Sequence, residues 1–119
     1  MSATDIDERD WDRFEDMLEY AQDAVGIVGD LSSEALINDR LKCLASCRAV
    51  EIVGEAASKI SEAGKLALPN FPWKQAIGMR QILAHDYGRI QASVVVEVTR
   101  EHLPQLITSL QRLLKDAPQ

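Results

Sequence analysis

The spacing of apolar residues in the first quarter of the chain predicts a helix. Apolar positions recur there at alternating steps of three and four residues: Trp11, Phe14, Leu18, Ala21, Val25 and Val28. This is the pattern of an amphipathic helix with one buried face. Thr4 or Asp5 can cap its start, and Gly29 can end it in a left-handed conformation. We therefore expect a first helix over residues 5–28.

Two further helices follow from similar signals. Ser32 or Ser33 is a suitable N-cap for a second long helix, whose apolar pattern continues until just before Gly64. Pro72 can be the first residue of a third helix, because the N–H group that it lacks has no partner at that position. Gly88 is placed to end this third helix.

The last segment is also helical, and no part of the sequence favours strands. A fourth helical segment is predicted from near Ser93 to about Lys115. Its leucines step by three, four and three residues, at Leu103, Leu106, Leu110 and Leu113, and Pro104 must kink or restart the helix. We find no alternating strand pattern, no hairpin dipeptide and no internal repeat. The sequence predicts a single all-α domain over residues 1–119, with an ordered core of about 5–115, built as an antiparallel bundle of four or five helices.

The charge of the chain is negative and unevenly distributed. Its 119 residues include 13 Lys and Arg against 19 Asp and Glu, for a net charge of −6. Residues 1–34 hold 11 of the acids and two of the bases, whereas the rest holds 11 bases and 8 acids. A broad nucleic-acid-binding surface is excluded by this balance. A small cationic site away from the first helix remains compatible with it.

Nothing in the sequence predicts a membrane span or an exported protein. The densest apolar patch, Val94–Val98, is interrupted by Glu97 and is far shorter than the roughly 18 residues that a span needs. The first eight residues lack the basic and apolar regions of a secretory signal, so we expect a cytoplasmic protein. Cys43 and Cys47 lie four residues apart in a helical pattern, which predicts reduced thiols in the core.

The third helix contains an arginine where the pattern calls for an apolar residue. Its stripe runs Trp73, Ile77, Arg80, Ala84 and Tyr87. A guanidinium on such a stripe needs carboxylate, phosphate or carbonyl oxygens as partners. Glu51 or Glu55 can fill that role within the bundle. Alternatively, these glutamates form a solvated face with Arg48, or one of them orients a functional base on a facing helix.

A histidine and a glycine add to the unusual character of this helix. His85 lies five residues after Arg80, which places it roughly 140° around an α-helix at about 100° per residue. Gly78 lies in mid-helix, where it costs about 1 kcal/mol relative to alanine, and it permits a close approach of backbone or substrate. Either the helix is distorted near residues 84–88, or two copies of it meet across a two-fold axis. We favour the second interpretation.

Other kinds of site find little support. Cys43, Cys47, His85 and His102 do not have the spacing of a zinc site. There is no glycine-rich phosphate loop and no nucleophile motif. His102 precedes Pro104 closely and is interpreted as a surface histidine at a helix end. We predict neither a metal nor a bound cofactor.

The run Gly78–Tyr87 resembles a known family. Arg80, His85 and Tyr87 match the Arg-x4-His-x-Tyr motif of HepT-type toxins, within the HEPN (higher eukaryotes and prokaryotes nucleotide-binding) superfamily. Residues 50–57, Trp73 and residues 103–106 are similar to further segments of that family, so the likeness covers about residues 10–114. One position departs from the pattern: Gln81 stands where many relatives carry asparagine.

The resemblance implies an all-helical HEPN fold and a homodimer with the motif at a shared cleft. It also implies metal-independent RNA cleavage and a cognate minimal nucleotidyltransferase antitoxin. In this family the antitoxin attaches adenylate to the motif tyrosine, which is Tyr87 here. ATP then serves only as the donor for that modification.

The motif residues are chemically suited to cutting RNA. RNA carries its own nucleophile in the 2′-hydroxyl, so a protein needs to supply a proton shuttle and a cation for the developing phosphorane charge. His85 can be the shuttle, since an imidazole has an ordinary pKa of about 6.5. Arg80 can bind two phosphoryl oxygens and keeps its charge.

Neighbouring residues have supporting roles in this interpretation. Tyr87 offers an aromatic face for a base and a phenol that can accept a nucleotidyl group. Gln81 can make a polar contact, and Arg89, with Lys74, can guide the RNA backbone. Asp86 either positions His85 or faces solvent.

Two alternatives remain open. The chain can be a catalytically silent subunit that binds a nucleotide or substrate for a partner nucleotidyltransferase, which the charge of −6 favours. It can also be a plain scaffold bundle in which Arg80 contributes only to stability.

Overall fold

Helices make up the architecture of the described residues. The computed structural model describes the backbone of residues 6–85 and 89–117, and the side chains of residues 6–79 and 91–117. The helices are α1 (Glu8–Val28), α2 (Ser33–Asn38), α3 (Arg40–Ser58), α4 (Glu62–Ala67), α5 (Trp73–His85), α6 (Arg89–Glu97) and α7 (Leu103–Leu114). A π-helical turn, Val98–His102, joins α6 to α7. No strand occurs in these ranges, and the all-α prediction is confirmed.

Helix α1 begins later than expected because a different side chain caps it. The carboxylate of Asp7 accepts a hydrogen bond of 2.7 Å from the backbone N–H of Arg9. The two predicted caps, at positions 4 and 5, lie outside the described residues. Gly29 ends the helix with a positive φ of 50°, as predicted, but its ψ of −126° lies outside the left-handed helical region. Its N–H bonds to the carbonyl of Val25 at 2.9 Å.

The second predicted helix is divided into three. Ser32 caps α2 as expected, through a bond of 3.1 Å from the N–H of Ala35. The chain then leaves the helix at Asp39, whose side chain accepts from the N–H of Lys42 at 3.1 Å and starts α3. It leaves again after Ser58, so Gly64 lies inside α4 and does not follow the end of a helix. Aspartate and serine side chains compete for backbone groups in this way and divide a continuous apolar pattern.

A buried carboxylate fixes α4 to α1. Asp10 is 1% exposed, and its two oxygens accept hydrogen bonds from the backbone N–H of Ser61, at 3.0 Å, and from the hydroxyl of Ser61. That hydroxyl in turn caps α4 by accepting from the N–H of Gly64 at 3.1 Å. A Cβ atom on Gly64 would lie 2.6 Å from Oδ2 of Asp10. The close packing of α4 therefore requires glycine at this position.

The core lies between α1, α3, α5 and α7. Helix α3 packs against both α1 and α5, while α7 packs against α1. The predicted stripe of α1 is largely confirmed, with Trp11, Phe14, Ala21 and Val28 buried. Four of the five leucines of α7 are buried as well: Leu103, Leu106, Leu110 and Leu113. None of the helices in the described part of the chain combines the length and apolar character needed to cross a membrane.

The C-terminal segment begins earlier than expected, and it restarts at Leu103, next to Pro104, where a kink or a restart was predicted. Helix α6 starts at Arg89, four residues before the expected Ser93. The π-helical turn precedes α7, and Pro104 lies in the first turn of α7, where its missing N–H is tolerated. Arg100 in the π-helical turn donates to the carbonyl oxygens of Gly29, at 3.3 Å, and Leu31. These bonds connect the turn to the end of α1.

Candidate functional site

The helix that carries the predicted motif is anchored at its N-terminal end. The carbonyl of Pro72 accepts from the N–H of Ala76 at 3.0 Å, so Pro72 precedes the first helical residue, Trp73. The indole N–H of Trp73 donates to the carbonyl of Leu68 at 3.0 Å. Its ring lies 6.0 Å from that of Phe14 in α1, between centroids. The start of α5 is therefore held against the core of the bundle.

The buried face of α5 differs from the predicted stripe. Ala76 and Met79 are 0% and 2% exposed, whereas Trp73 and Ile77 are only partly buried. At about 100° per residue, position 80 lies about 70° from the centre of the face formed by Ala76 and Met79. Position 80 is thus at the margin of the buried face and not on its centre line.

The backbone of α5 is α-helical through His85. Positions 80 and 85 are therefore about 140° apart on one regular helix, because five residues separate them. Distortion of this helix at residues 84 and 85 is excluded, while residues 86–88 lie outside the described residues. A single copy of α5 presents these two positions in different directions.

The side chains of the predicted site lie outside the described residues. Arg80, Gln81 and His85 have a described backbone in α5, and Arg89 begins α6, but their side chains are not described. Asp86 and Tyr87 lie wholly outside the described residues. The roles assigned to these residues stay predictions.

The two glutamates considered as partners of Arg80 have another cation nearby. The guanidinium of Arg48 lies 3.0 Å from a carboxylate oxygen of Glu51 and 3.5 Å from one of Glu55. The three side chains are 57%, 31% and 35% exposed. This arrangement agrees with the solvated-face interpretation, and ion pairs of such exposure contribute little to stability.

A cavity adjoins α5 on the side of α6 and the π-helical turn. Its volume is about 890 Å³, and its polar lining residues include Lys74, Gln75, Glu97 and His102. His102 ends the π-helical turn, as a residue at a helix end was predicted to do, but it is half-buried and its Nδ1 is hydrogen-bonded to the amide of Gln75. Sequence reasoning missed this contact. Near His102 the sequence marks only Pro104 as unusual. A proline at that position does not indicate a π-helical turn, so it could not predict the contact with Gln75.

The cysteines are buried and unpaired, as predicted. Cys43 and Cys47 both have free thiols in the core. Burial is the main cause that raises the pKa of the Cys47 thiol to about 12, and the neighbouring Cys43 thiol raises it further. This thiol is therefore protonated at neutral pH and is unsuited to nucleophilic chemistry. Among the residues with described side chains, no three of the types His, Cys, Asp and Glu are grouped closely enough to hold a metal ion.

Comparison with known proteins shows which family these features belong to. A "Putative RNase" of Methanocaldococcus jannaschii is 34% identical over 91 residues, covering 76% of this chain and 84% of its own. A "Probable ribonuclease HepT" of Thermococcus cleftensis is 30% identical over 105 residues, covering 84% of this chain and 94% of its own. No solved structure gives a significant match to the chain. Residues 17–113 match the family model described as ribonuclease HepT-like, and the chain therefore belongs to the HepT-like ribonuclease family.

Proposed function

We propose that this protein is an endoribonuclease toxin that acts as a homodimer and cleaves RNA without a metal ion. The observation that carries the proposal is the family match, because residues 17–113 include the whole segment from Arg80 to Tyr87. The relatives described above carry names that call them ribonucleases. The motif itself combines a permanent cation with a titratable imidazole, which are the two groups that RNA cleavage requires.

The helical backbone of α5 supports a site shared between two copies. Arg80 and His85 lie about 140° apart on a regular helix, so one helix cannot direct both at a single phosphorus atom. A two-fold axis beside α5 would let each copy contribute one of the two groups to each cleft. The site is incomplete in a single chain under this proposal.

The chemical step is an internal displacement at phosphorus. His85 accepts the proton of the 2′-hydroxyl while the 2′-oxygen attacks the adjacent phosphorus atom. The bond from phosphorus to the 5′-oxygen breaks, and that oxygen leaves with a proton from an acid, for which the second His85 is available. Arg80 stabilises the negative charge on the phosphoryl oxygens. The products are a 2′,3′-cyclic phosphate and a free 5′-hydroxyl.

Two neighbours of these residues assist binding. Arg89 attracts the RNA backbone, and Gln81 donates a hydrogen bond to the substrate with a longer reach than asparagine. Asp86 either orients His85 or remains in solvent.

Regulation follows from Tyr87, which lies seven residues after the catalytic arginine in the sequence. A partner nucleotidyltransferase antitoxin would use ATP to modify Tyr87. In that step the phenolic oxygen attacks the α-phosphorus atom, AMP is transferred and pyrophosphate leaves. The added phosphate then pairs with Arg80 and occupies the cleft, which switches off cleavage.

A cleavage assay with matched variants tests the proposal. Purified protein, free of any antitoxin and supplied with EDTA, is expected to cut single-stranded RNA. Arg80→Ala should lower the rate by at least a hundredfold, by analogy with the loss of one stabilising donor. Arg40→Ala removes an equal charge from an exposed position at the start of α3 and should leave the rate unchanged. No cutting by the wild-type protein, or equal cutting by Arg80→Ala, would overturn the proposal.

A second candidate function is a catalytically silent subunit that binds a nucleotide or substrate for the nucleotidyltransferase. The observation that favours it is the net charge of −6, which disfavours a long polyanion as ligand. Induced expression separates the two functions. A nuclease arrests growth and its Arg80→Ala variant does not, whereas a silent subunit leaves growth unaffected.

A further inference from the structure

The cavity beside α5 is formed by three parts of the chain. The segment between α4 and α5 supplies Phe71, and α6 with the π-helical turn supplies a second wall. The first two turns of α5 supply Trp73, Lys74, Gln75, Gly78 and Met79. The cavity volume of about 890 Å³ is within the range of small-ligand sites. Gly78 in its wall lies seven residues before His85, so these two positions are within about 20° of each other around α5, and the cavity is on the same side of the helix as position 85.

The apolar part of the lining is aromatic on one side and aliphatic on the other. The rings of Phe71 and Trp73 are 4.7 Å apart between centroids and are both half-buried. Val94 and Val98 lie across from α5 in the same lining. A flat aromatic ligand fits between such walls, and bases of single-stranded RNA are commonly bound by stacking on aromatic side chains.

The polar part of the lining matches the edge of a base and its phosphate. Lys74 and Glu97 are exposed at the cavity, and neither pairs with a charged group among the residues whose side chains are described. A carboxylate accepts hydrogen bonds from the exocyclic amino group of a base, and a lysine attracts a phosphate. Gln75 and His102 are linked by a hydrogen bond and supply further donors and acceptors.

Two local features keep the cavity open. Among the atoms that the structure describes, none lies within 4 Å of the position that a Cβ on Gly78 would occupy, so the missing side chain leaves free space in the wall. The π-helical turn places His102 against Gln75 at the opposite end. Turns of this kind interrupt α-helices frequently at functional sites. Two features therefore border the same cavity: Gly78, which lowers the stability of its helix, and the π-helical turn.

We propose that this cavity binds one nucleobase of the RNA substrate, next to the nucleotide that is cut. The aromatic side stacks on the base, Glu97 accepts from its exocyclic amino group, and Lys74 contacts the neighbouring phosphate. The cavity therefore prefers bases that carry an exocyclic amino group. Uracil lacks such a group and should bind less tightly. This inference rests on the proposed function for its substrate class, and it assigns that substrate a specific subsite.

Filling the cavity tests this proposal without disturbing the fold. Gly78→Leu directs a side chain into the free space, and leucine favours the helix over glycine. Gly26→Leu is the matched control, because Gly26 lies within α1, likewise has no described atom within 4 Å of the Cβ position, and is not among the cavity-lining residues. Each change is made in the wild-type protein and in the His85→Ala variant, which retains bound RNA uncut.

The measurements are RNA affinity by fluorescence anisotropy, with a labelled single-stranded RNA of mixed sequence, and the KM and kcat of cleavage. Gly78→Leu is expected to weaken binding and raise KM at least tenfold, while Gly26→Leu changes neither. A poly(U) probe should bind the wild-type protein less tightly than the mixed sequence. Unchanged affinity and KM in Gly78→Leu would overturn the inference and leave the nuclease proposal intact.

Two other outcomes separate the subsite from the activity. If the wild-type protein binds RNA but does not cut it, and Gly78→Leu still abolishes binding, the subsite is supported and the nuclease proposal fails. If sedimentation shows that Gly78→Leu converts a dimer to a monomer, a second copy of the chain occupies the cavity and the inference is overturned.

Discussion

The two hydrogen bonds that Asp10 accepts from Ser61 lead to a specific prediction about the stability of the fold. Asp10 is 1% exposed and accepts two hydrogen bonds from Ser61, one from the backbone N–H at 3.0 Å and one from the hydroxyl. In Asp10→Asn an amide nitrogen replaces one carboxylate oxygen, so one acceptor is lost and the other is no longer charged. A hydrogen bond to a charged group contributes about 1.5–3 kcal/mol, and we expect the free energy of unfolding to fall by about 2 kcal/mol.

Urea unfolding followed by far-UV circular dichroism measures this change. Asp12→Asn is the matched control, because Asp12 lies in the same helix and is exposed, so its effect should stay within about 0.5 kcal/mol. A double-mutant cycle with Ser61→Ala isolates the pairwise interaction, since the loss of the α4 cap by that variant occurs in both backgrounds. We expect a coupling energy of about 1 kcal/mol or more.

An Asp10→Asn variant as stable as the wild-type protein, or more stable, would refute this prediction. The cost of removing the carboxylate from water would then exceed the strength of its hydrogen bonds. A coupling energy near zero would show that Ser61 does not depend on Asp10.

Further predictions concern two glycines and the two buried thiols. Gly64→Ala should destabilise the protein by about 1–3 kcal/mol, because the new Cβ would lie 2.6 Å from Asp10 and 2.8 Å from Ile60, whereas Gly26→Ala should stabilise it by up to about 1 kcal/mol. The same urea unfolding experiment measures both, and equal effects would contradict the packing of α4. Cys43 and Cys47 should resist iodoacetamide in the native protein at neutral pH and react after unfolding, which mass spectrometry detects. Because the pKa of Cys47 is about 12 in the folded state, the unfolded thiol ionises first, and the free energy of unfolding should fall as the pH rises above about 9. Rapid alkylation of the native protein, or no loss of stability in that pH range, would contradict this burial.

The helical class and the long apolar stripes could be predicted from the sequence, because they depend on periodicity. The stripes of α1 and α7 are buried as expected, and Ser32 is the predicted cap. The breaks at Asp39 and Ser61 could not be predicted from periodicity, because each depends on a side chain that bonds to the backbone three residues later. The partner of Ser61, Asp10, is 51 residues distant in the sequence.

The candidate site was predictable only in part. The motif residues were identified from their types and spacing, and the family is confirmed by the match over residues 17–113. In the part of α5 whose side chains are described, Ala76 and Met79 are buried more deeply than Trp73 and Ile77 of the predicted stripe, which pack against the core only partly buried. Alanine carries a weak apolar signal, so the larger Trp73 and Ile77 determined the predicted stripe. The cavity at His102 depends on the π-helical turn, which has no signature in the apolar pattern.

Cleavage of one RNA oligonucleotide tests the central claim most directly. The wild-type protein and His85→Ala are each incubated, in EDTA, with an RNA that has one mapped cleavage position and with the same RNA carrying a single 2′-deoxynucleotide there. We predict that the wild-type protein cuts the all-ribose RNA to a 2′,3′-cyclic phosphate, spares the substituted bond, and loses its activity in His85→Ala. Cutting at the 2′-deoxy position, or undiminished cutting by His85→Ala, would contradict the account.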